Sequence, residues 1–349
     1  MFLNITVPKC EVQMTYKRVI IREFGSPEVL QVIEEPHLPE PKPGEIRVRV
    51  KAASAAFTDT MIRKGAYPGV KEKPPFSPGY DMVGEVDKLG EGTSKFKVGD
   101  HVCDLTVIGS YSEYLCVSED RLIAVPESID PGEAASLILT YVTAYQMLHR
   151  VAKVQTGQSI LVHGAGGAVG SALLELARLE DLIIYGTASA GKHEPIKKFG
   201  ATLIDYRHEN FVEKMKQLAP GGIDFAFDGL GGQSFKRSLK TIKPGGLLIA
   251  YGFSNAVKKG KTALIFDFIR FKLMSILPSS RRNTFYSITD FRNQHPDWFV
   301  IDLNKLFDLL SNSKIKPFIW KRMPLSEARK AHELIEKSKP IGKIILEID

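Results

Sequence analysis

The sequence predicts an α/β protein in two parts, a partly closed β domain followed by a doubly wound parallel sheet. Up to Val125 the chain consists mainly of short runs rich in β-branched residues, separated by Gly and Pro turns. After Pro126, apolar strands and helical stretches alternate with short loops, as in successive βαβ units. The length of 349 residues also fits two domains, at roughly 150 residues each.

The individual elements follow from apolar periodicity and turn residues. In the first part, strands are expected at residues 18–21, 46–53, 84–89 and 117–125. In the second part, a helix at 131–151 precedes strands at residues 159–163, 182–187, 202–204, 223–228 and 246–251. The tail is expected to form helices at 303–310 and 325–337 and a last strand at 342–348.

Composition and charge indicate an ordinary globular protein, with 44% hydrophobic and 25% charged residues. The net charge of +7 would suit nucleic acid or an acidic membrane, but no nucleic-acid-binding motif accompanies it. We therefore favour a solvated surface or a basic site for a cofactor with several phosphates. The most apolar long window, residues 262–278, contains Asp267, Arg270 and Lys272, so no membrane-spanning helix is expected.

The cysteines and the N-terminus indicate the compartment. The three cysteines, Cys10, Cys103 and Cys116, include no CxxC pair, which argues against a disulfide framework and against a cysteine-rich zinc lobe. Residues 1–13 lack the charged start and long apolar centre of a secretion signal. The cytoplasm, a reducing compartment, is therefore expected.

The strongest functional signal is the glycine-rich stretch after the strand at 159–163. Gly164, Gly167 and Gly170 form a GxxGxxG variant of the dinucleotide fingerprint, between a strand and a helix. Glycines there permit a sharp turn and a close approach to a pyrophosphate, and the helix N-terminus offers free N–H groups. The alternative is a tight turn without a ligand. The expected contacts are Gly164, Gly166, Gly167, Ala168, Val169 and Gly170.

The second parallel strand indicates which nicotinamide dinucleotide binds. NAD sites usually place an Asp or Glu about 20 residues beyond the glycines. Here no carboxylate occurs at residues 188–193, and Ser189 and Lys192 stand there instead. With Tyr206 and Arg207 after the third strand, they can close a pocket around a 2′-phosphate, which predicts NADPH. The alternative for Lys192 alone is a solvated lysine at a helix start.

Several motifs are shared with a known family. They are residues 59–65 (DTMIRKG), 78–81 (PGYD), 98–100 (VGD), 111–114 (YSEY), the glycine loop and 342–346 (GKIIL). Together they resemble the zinc-independent quinone oxidoreductases of the medium-chain dehydrogenase/reductase superfamily, from about Tyr16 to the C-terminus. Residues 186–189 (GTAS) and 251–255 (YGFSN) are most similar to its vesicle-amine-transport-protein branch.

The resemblance implies a GroES-like substrate domain, a Rossmann domain and an active-site cleft between them. The substrate domain would begin with residues 1–127, the NADPH-binding Rossmann domain would span 128–297, and 298–349 would return to the substrate domain. The implied reaction is hydride transfer from NADPH to a quinone or another α,β-unsaturated carbonyl, in a homodimer. Further expected cofactor contacts are Gly229, Gly252 and Phe253.

The resemblance also bears on metal and catalytic residues. Metal-dependent relatives place a catalytic Cys and a His where this chain has Ala56 and Tyr80, so no zinc is expected. The family also tends to carry an Asn at the position of Ala56, and its loss leaves the substrate class open. Tyr67 is similar to a family tyrosine in the substrate cleft, and Thr140 to a threonine near the nicotinamide. Packing roles are the alternatives for both.

The segment 257–296 mixes basic clusters with bulky apolar residues, and no single function follows from it. An amphipathic lid that touches membrane is one hypothesis; a cleft-covering or subunit-contact segment is the favoured one. Two other functions therefore stay open beside quinone or enone reduction. One is a 2-enoyl-thioester reductase, and the other is a non-catalytic NADPH-binding protein that acts at membranes or with partners.

Overall fold

The computed structural model describes residues 14–257, 260–276 and 280–348, and its strands form three sheets. The expectations for residues 1–13, including Cys10, and for Lys258 and Lys259 lie outside the described residues. One sheet has two antiparallel strands, one has seven strands, and one has six parallel strands. The predicted α/β class, with a β-rich part and a doubly wound sheet, is confirmed.

The strands and helices have the following bounds. The strands are β1 Tyr16–Ile21, β2 Leu30–Glu35, β3 Glu45–Ala55, β4 Met82–Leu89, β5 His101–Asp104, β6 Tyr114–Ser118, β7 Ile123–Ala124, β8 Ser159–His163, β9 Ile183–Ala188, β10 Thr202–Asp205, β11 Ile223–Asp228, β12 Ile242–Ala250, β13 Arg282–Phe285, β14 Ile319–Pro324 and β15 Lys343–Glu347. The helices are α1 Phe57–Arg63, α2 Pro131–Ser136, α3 Val142–Gln146, α4 Ala168–Leu179, α5 His193–Lys197, α6 Phe211–Leu218, α7 Gln233–Leu239, α8 Ser254–Val257, α9 Lys261–Ile276, α10 Ile288–Gln294, α11 Pro296–Ser311 and α12 Ala328–Glu336.

The parallel sheet has the order β10-β9-β8-β11-β12-β13. The chain runs outward from β8 to β10 and then returns to place β11 on the other side of β8, so the winding direction reverses between β8 and β11. Every residue of β11 is buried, as expected for a strand covered on both faces. In such sheets, ligands bind beyond the carboxyl ends of the strands at the point of reversal. The glycine loop follows β8 at this point.

The C-terminal strand joins the seven-stranded sheet, whose order is β14-β15-β3-β4-β5-β7, with β6 also paired to β3. Strand β15 lies antiparallel to β3, with Ile344 opposite Ala55. The residue before β15, Gly342, forms a bridge to Gly167 of the glycine loop. The tail therefore contacts both the β-rich part and the dinucleotide loop.

One apolar core connects the two large sheets. It contains Ile62 and Tyr80 from the β-rich part together with Val142, Leu173 and Val162 from the parallel-sheet part. Because these side chains share one buried cluster, the two parts hold a defined relative position. The cleft between them is therefore a built feature of the fold.

Two local predictions need correction. Residues 117–125 form two strands, β6 and β7, because a 3₁₀ turn at Glu119–Arg121 changes the chain direction between them. The helix expected at 131–151 is interrupted by π-helical turns at Leu137–Tyr141 and Met147–Ala152, which flank α3. Such π turns are often found at functional sites, and the first of them holds Thr140. In the described parts of the chain, no helix has the length and apolar character needed to cross a membrane.

Candidate active site

The glycine loop has the geometry of a phosphate-binding turn. Gly164, directly after β8, has a φ of +66°, a left-handed conformation that favours glycine. A Cβ at Gly170 would lie 2.2 Å from the Gly164 carbonyl oxygen, so only glycine fits this contact. Gly167 precedes α4, whose first-turn N–H groups have no partners within the helix. The loop therefore combines close backbone approach with a helix N-terminus.

The residues expected near the adenosine lie beside this loop. Ser189 follows β9, Lys192 lies in a 3₁₀ turn after it, and Tyr206 and Arg207 follow β10. All four line the same cleft as the glycine loop. No carboxylate follows β9 directly, and Asp205 at the end of β10 is engaged by His208 Nδ1 at 2.6 Å. This end of the cleft is therefore electropositive.

Lys192 occupies a more specific position than its sequence suggested. Its side chain lies across Gly166, where an added Cβ would meet Lys192 Cδ at 2.8 Å. Its ammonium group donates a hydrogen bond to the Pro340 carbonyl oxygen at 2.5 Å. Burial and the nearby Arg207 guanidinium lower the pKa of Lys192. Lys192 is therefore not the solvated lysine of the alternative, because its side chain is half-buried and hydrogen-bonded.

The other end of the cleft is built from hydroxyl groups. The Tyr67 and Tyr80 hydroxyls form a short hydrogen bond, and the two rings meet edge to face at 5.6 Å between centroids. Tyr67 also lies within hydrogen-bonding reach of Thr289, and burial raises its pKa. Thr140 and Ala56 line the same wall. This arrangement presents hydrogen-bond donors to whatever binds between them and the glycine loop.

All of the site residues predicted from the sequence line this single cleft. The β-rich side contributes Tyr67, and the linking helix contributes Thr140. The carboxyl edge of the parallel sheet contributes the glycine loop, Gly229, Gly252 and Phe253. The cleft brings the residues together, but their individual roles remain predictions.

Sequence reasoning missed two features of the cleft wall. Arg237 stacks over Phe211, with 4.3 Å between the guanidinium Cζ and the ring centroid, near the end of the cleft where the adenosine is expected. Lys343 lines the other end and is almost fully buried, and its ammonium group has no hydrogen-bond partner in the described chain. Helix α9 also lines the cleft, which agrees with the cleft-covering role that was one expectation for residues 257–296. Lys343 had a signal, since it belongs to the motif at 342–346, but nothing in the sequence placed Arg237.

Comparison with known proteins then identifies the family. A model described as "Alcohol dehydrogenase GroES-like domain" matches residues 42–127, and one described as "Zinc-binding dehydrogenase" matches residues 199–346. The human "Synaptic vesicle membrane protein VAT-1 homolog-like" is 31% identical, over 95% of this chain and 81% of that protein. The chain belongs to the medium-chain dehydrogenase/reductase superfamily. The resemblance inferred from the motifs is confirmed.

Other relatives in the superfamily carry oxidoreductase names. A "Quinone oxidoreductase" of Rattus norvegicus is 30% identical, over 96% of this chain and 98% of that protein. The structure of Escherichia coli quinone oxidoreductase, described as complexed with NADPH, superposes with a TM-score of 0.83 at 27% identity, over 95% and 99% of the two chains. The human VAT-1 homolog-like structure gives a TM-score of 0.80 at 29% identity, over 96% and 99%.

One matched family model is named for zinc, but this chain lacks the side chains that a zinc site needs at the corresponding positions. Ala56 offers no donor atom, and the Tyr80 hydroxyl is bonded to Tyr67. Among the described residues, no group of three or more His, Cys, Asp or Glu side chains is placed to hold a metal ion. A catalytic zinc needs three such ligands. The residues of this cleft do not fit one.

Proposed function

We propose that this chain is a zinc-independent, NADPH-dependent reductase that transfers hydride to a quinone or an α,β-unsaturated carbonyl. The observation that carries the proposal is the single cleft that joins the glycine loop to the Tyr67–Tyr80 pair. Quinone oxidoreductases in the same superfamily, one of them in complex with NADPH, support it. The free thiols of Cys103 and Cys116 suit a reducing compartment, and we propose the cytoplasm.

The chain's part in cofactor binding is to hold the phosphates. The glycine loop and the α4 N-terminus would hold the pyrophosphate, and Ser189, Lys192 and Arg207 the 2′-phosphate. When bound, the reduced nicotinamide supplies the hydride. Lys192 would exchange its hydrogen bond to Pro340 for one to the phosphate, so the net gain in affinity is smaller than for an unengaged lysine.

The chain's part in acceptor reduction is to receive negative charge. In a conjugated acceptor this charge spreads into an enolate or hydroquinone anion, so a metal ion is not needed to stabilise it. Tyr67, at the cleft surface, would donate a hydrogen bond to the acceptor oxygen. Ala56 and Thr140 would shape the space beside it.

The proposal is tested by following NADPH oxidation with a panel of quinones, enones, enoyl thioesters and simple ketones. We expect turnover with quinones or enones and none with ketones. Turnover restricted to enoyl thioesters would replace the acceptor class by the thioester alternative. Binding of NADPH without turnover of any acceptor would overturn the enzymatic function.

A second candidate is a non-catalytic NADPH-binding protein that acts at membranes. Helix α9 favours it, because Ile265, Phe266, Ile269 and Leu273 are exposed beside the basic Arg270. Several relatives are also named synaptic vesicle membrane proteins. Flotation with anionic vesicles, combined with the absence of turnover, would support this candidate.

For α9 itself we propose a subunit contact in a homodimer. Strand β13 is at the edge of the parallel sheet, with α9 packed beside it, so a second copy could cover both. Light scattering of Ile269→Asp should then show a monomer. Ile183→Asp, at an exposed apolar residue outside the cleft and α9, should leave the dimer intact. A monomeric wild-type protein would contradict the dimer.

A further inference from the structure

A buried polar cluster lies under the tyrosine end of the cleft. Asp59, at the start of α1, and Asp81, just before β4, are both fully buried. Lys343, at the start of β15, is buried beside them and interacts electrostatically with both. Buried charges of this kind are costly and normally fully paired. This cluster contributes to none of the steps proposed above.

Hydrogen bonding in the cluster is incomplete. Asp81 accepts bonds from the Ser54 N–H at 2.8 Å and the Ser54 hydroxyl at 2.5 Å, and Asp59 Oδ2 accepts from the Ala56 N–H at 2.8 Å. The buried Asp59 Oδ1 and Lys343 Nζ make no hydrogen bond of regular geometry, although the Gly79 N–H and the Tyr111 hydroxyl lie close enough to interact with the Asp59 carboxylate. No ion pair within 4 Å joins Lys343 to either carboxylate in the described chain. Unsatisfied buried groups at one place often mark a functional arrangement.

The other unsatisfied atoms lie around the same two residues. Within the described ranges, the remaining buried side-chain atoms without partners are Thr58 Oγ1, Ser77 Oγ and Ser110 Oγ. Thr58 precedes Asp59, and both serines flank Gly79, whose backbone hydrogen-bonds Asp59. Polar atoms grouped in this way suit buried water, which can carry protons.

We propose that the cluster centred on Asp59 is a buried proton store that controls how readily the Tyr67–Tyr80 pair gives a proton to the reduced acceptor. Geometry links the two, since Ala56, whose N–H bonds Asp59, lines the same cleft as the Tyr67–Tyr80 pair, and Asp81 directly follows Tyr80 in the chain. This inference rests on the proposed reductase function.

The charge state of Asp59 fits this role. Burial, with the Asp81 carboxylate beside it, raises the pKa of Asp59 to about 7, while Lys343 acts in the opposite direction. An ionised Asp59 raises the pKa of both Tyr67 and Tyr80, in addition to the larger effect of burial. Neutral Asp59 therefore makes the tyrosine pair the better acid.

The remaining groups that face Asp59 do not replace it as the titrating group. Tyr111 lies near Asp59, and its pKa is raised far above neutral by burial. The Tyr111 hydroxyl also contacts His332 Nε2 at 3.2 Å, and burial lowers the pKa of His332 to about 3. Arg63, one helical turn after Asp59, pairs with Glu336. Burial also raises the pKa of Asp81 and lowers that of Lys343, so these two groups titrate together with Asp59, whose own pKa lies at about 7.

The proton step balances as follows for an enone. Hydride addition to the β-carbon moves the C=C electron pair into a new double bond between the α-carbon and the carbonyl carbon, and the C=O π pair onto oxygen, which gives an enolate. The enolate oxygen takes the Tyr67 proton to form an enol, Tyr67 recovers a proton from Tyr80, and the cluster returns one to Tyr80. Solvent then reprotonates the cluster. The enol tautomerises to the saturated carbonyl compound by losing its O–H proton and taking one proton at the α-carbon, so the product has gained one hydride and one proton in total.

The test is the pH profile of kcat with an enone that carries no ionisable group. For the wild type, kcat should fall as pH rises through about 7, because the proton of Asp59 is lost. Asp59→Asn should remove this decline. Asp81→Asn should move it to lower pH, since a carboxylate that raises the pKa of Asp59 is gone. Lys343→Met should move it to higher pH, since a cation that lowers it is gone.

Infrared spectra recorded during a pH titration provide a readout without turnover. The carbonyl band of a protonated carboxylic acid should disappear near neutral pH in the wild type and be missing in Asp59→Asn. The proposal would be overturned if the enzyme turns over but no variant changes the pH dependence of kcat. It would also be overturned if Asp81→Asn and Lys343→Met shift the decline of kcat in the same direction. A wild type that binds NADPH but reduces no acceptor would instead overturn the proposed function.

Discussion

The two ends of the cleft are built in opposite ways. At the dinucleotide end, one continuous stretch from β8 to the turn after β9 supplies the glycine loop, the α4 N-terminus and Lys192. At the acceptor end, the side chains come from five separate segments of the chain: Tyr67, Tyr80, Thr140, Thr289 and Lys343. Binding at the first end depends on a close approach to the backbone, which side chains would obstruct. Binding at the second end depends on side chains that the fold brings together from distant parts of the chain. On the proposed function, we therefore expect the first end to tolerate few substitutions, and the acceptor class to depend on single residues at the second end.

The largest effect is expected where the backbone end is closest packed. Gly170→Ala should weaken NADPH binding by about 5- to 150-fold, because the new Cβ would meet the Gly164 carbonyl oxygen and displace the loop at an overpacking cost of about 1–3 kcal/mol. Gly221→Ala is the matched control, since a Cβ there meets nothing. Calorimetric titration measures both. Equal affinity in the two variants would refute the role given to the loop.

Removing the cation beside the loop should discriminate between cofactors. Lys192→Ala should cost about 1–2 kcal/mol of NADPH binding, the lower part of the range for a charge-assisted hydrogen bond, because Lys192 gives up its bond to Pro340 when it binds the phosphate; NADH binding should barely change. Lys197→Ala, at an exposed lysine of α5, serves as the control. An equal loss for NADPH and NADH would show that Lys192 supports the loop rather than the 2′-phosphate.

At the side-chain end, a smaller and purely catalytic effect is expected. Tyr67→Phe should lower kcat by about 10-fold, the value of one hydrogen bond to developing charge, with NADPH affinity unchanged. Tyr185→Phe, whose hydroxyl contacts the Leu218 carbonyl on the surface, should leave kcat as it is. Unaltered kcat in Tyr67→Phe would favour the packing role for this residue.

The smallest effect concerns stability, since each end contains a buried neutral histidine. Burial lowers the pKa of His163 under the glycine loop, and lowers that of His332 to about 3. The unfolded state binds protons below about pH 6.5, so the free energy of unfolding should fall as pH drops, by up to about 1.4 kcal/mol per pH unit for each histidine. Denaturant melts at a series of pH values should show that the free energy of unfolding falls less steeply with decreasing pH in His332→Gln than in the wild type. An identical slope would contradict the buried neutral state.

The contrast between the two ends also explains what the sequence could predict. Strands β8 and β11 and the glycine loop were predicted to the residue, because buried parallel strands and GxxGxxG spacing are local signals. Tyr67 and Thr140 depended on family resemblance. The Tyr67–Tyr80 bond and the Asp59–Asp81–Lys343 cluster could not be predicted, since they form only when β3, β4 and β15 pair. The π turn at Thr140 had no sequence signal either.

The central claim is that this cleft binds a nicotinamide dinucleotide with a preference for the 2′-phosphate. Calorimetry of the wild-type protein with NADPH and then with NADH measures it most directly. We predict saturable NADPH binding at one site per chain and weaker NADH binding. Heat for neither dinucleotide, or tighter binding of NADH, would contradict the claim.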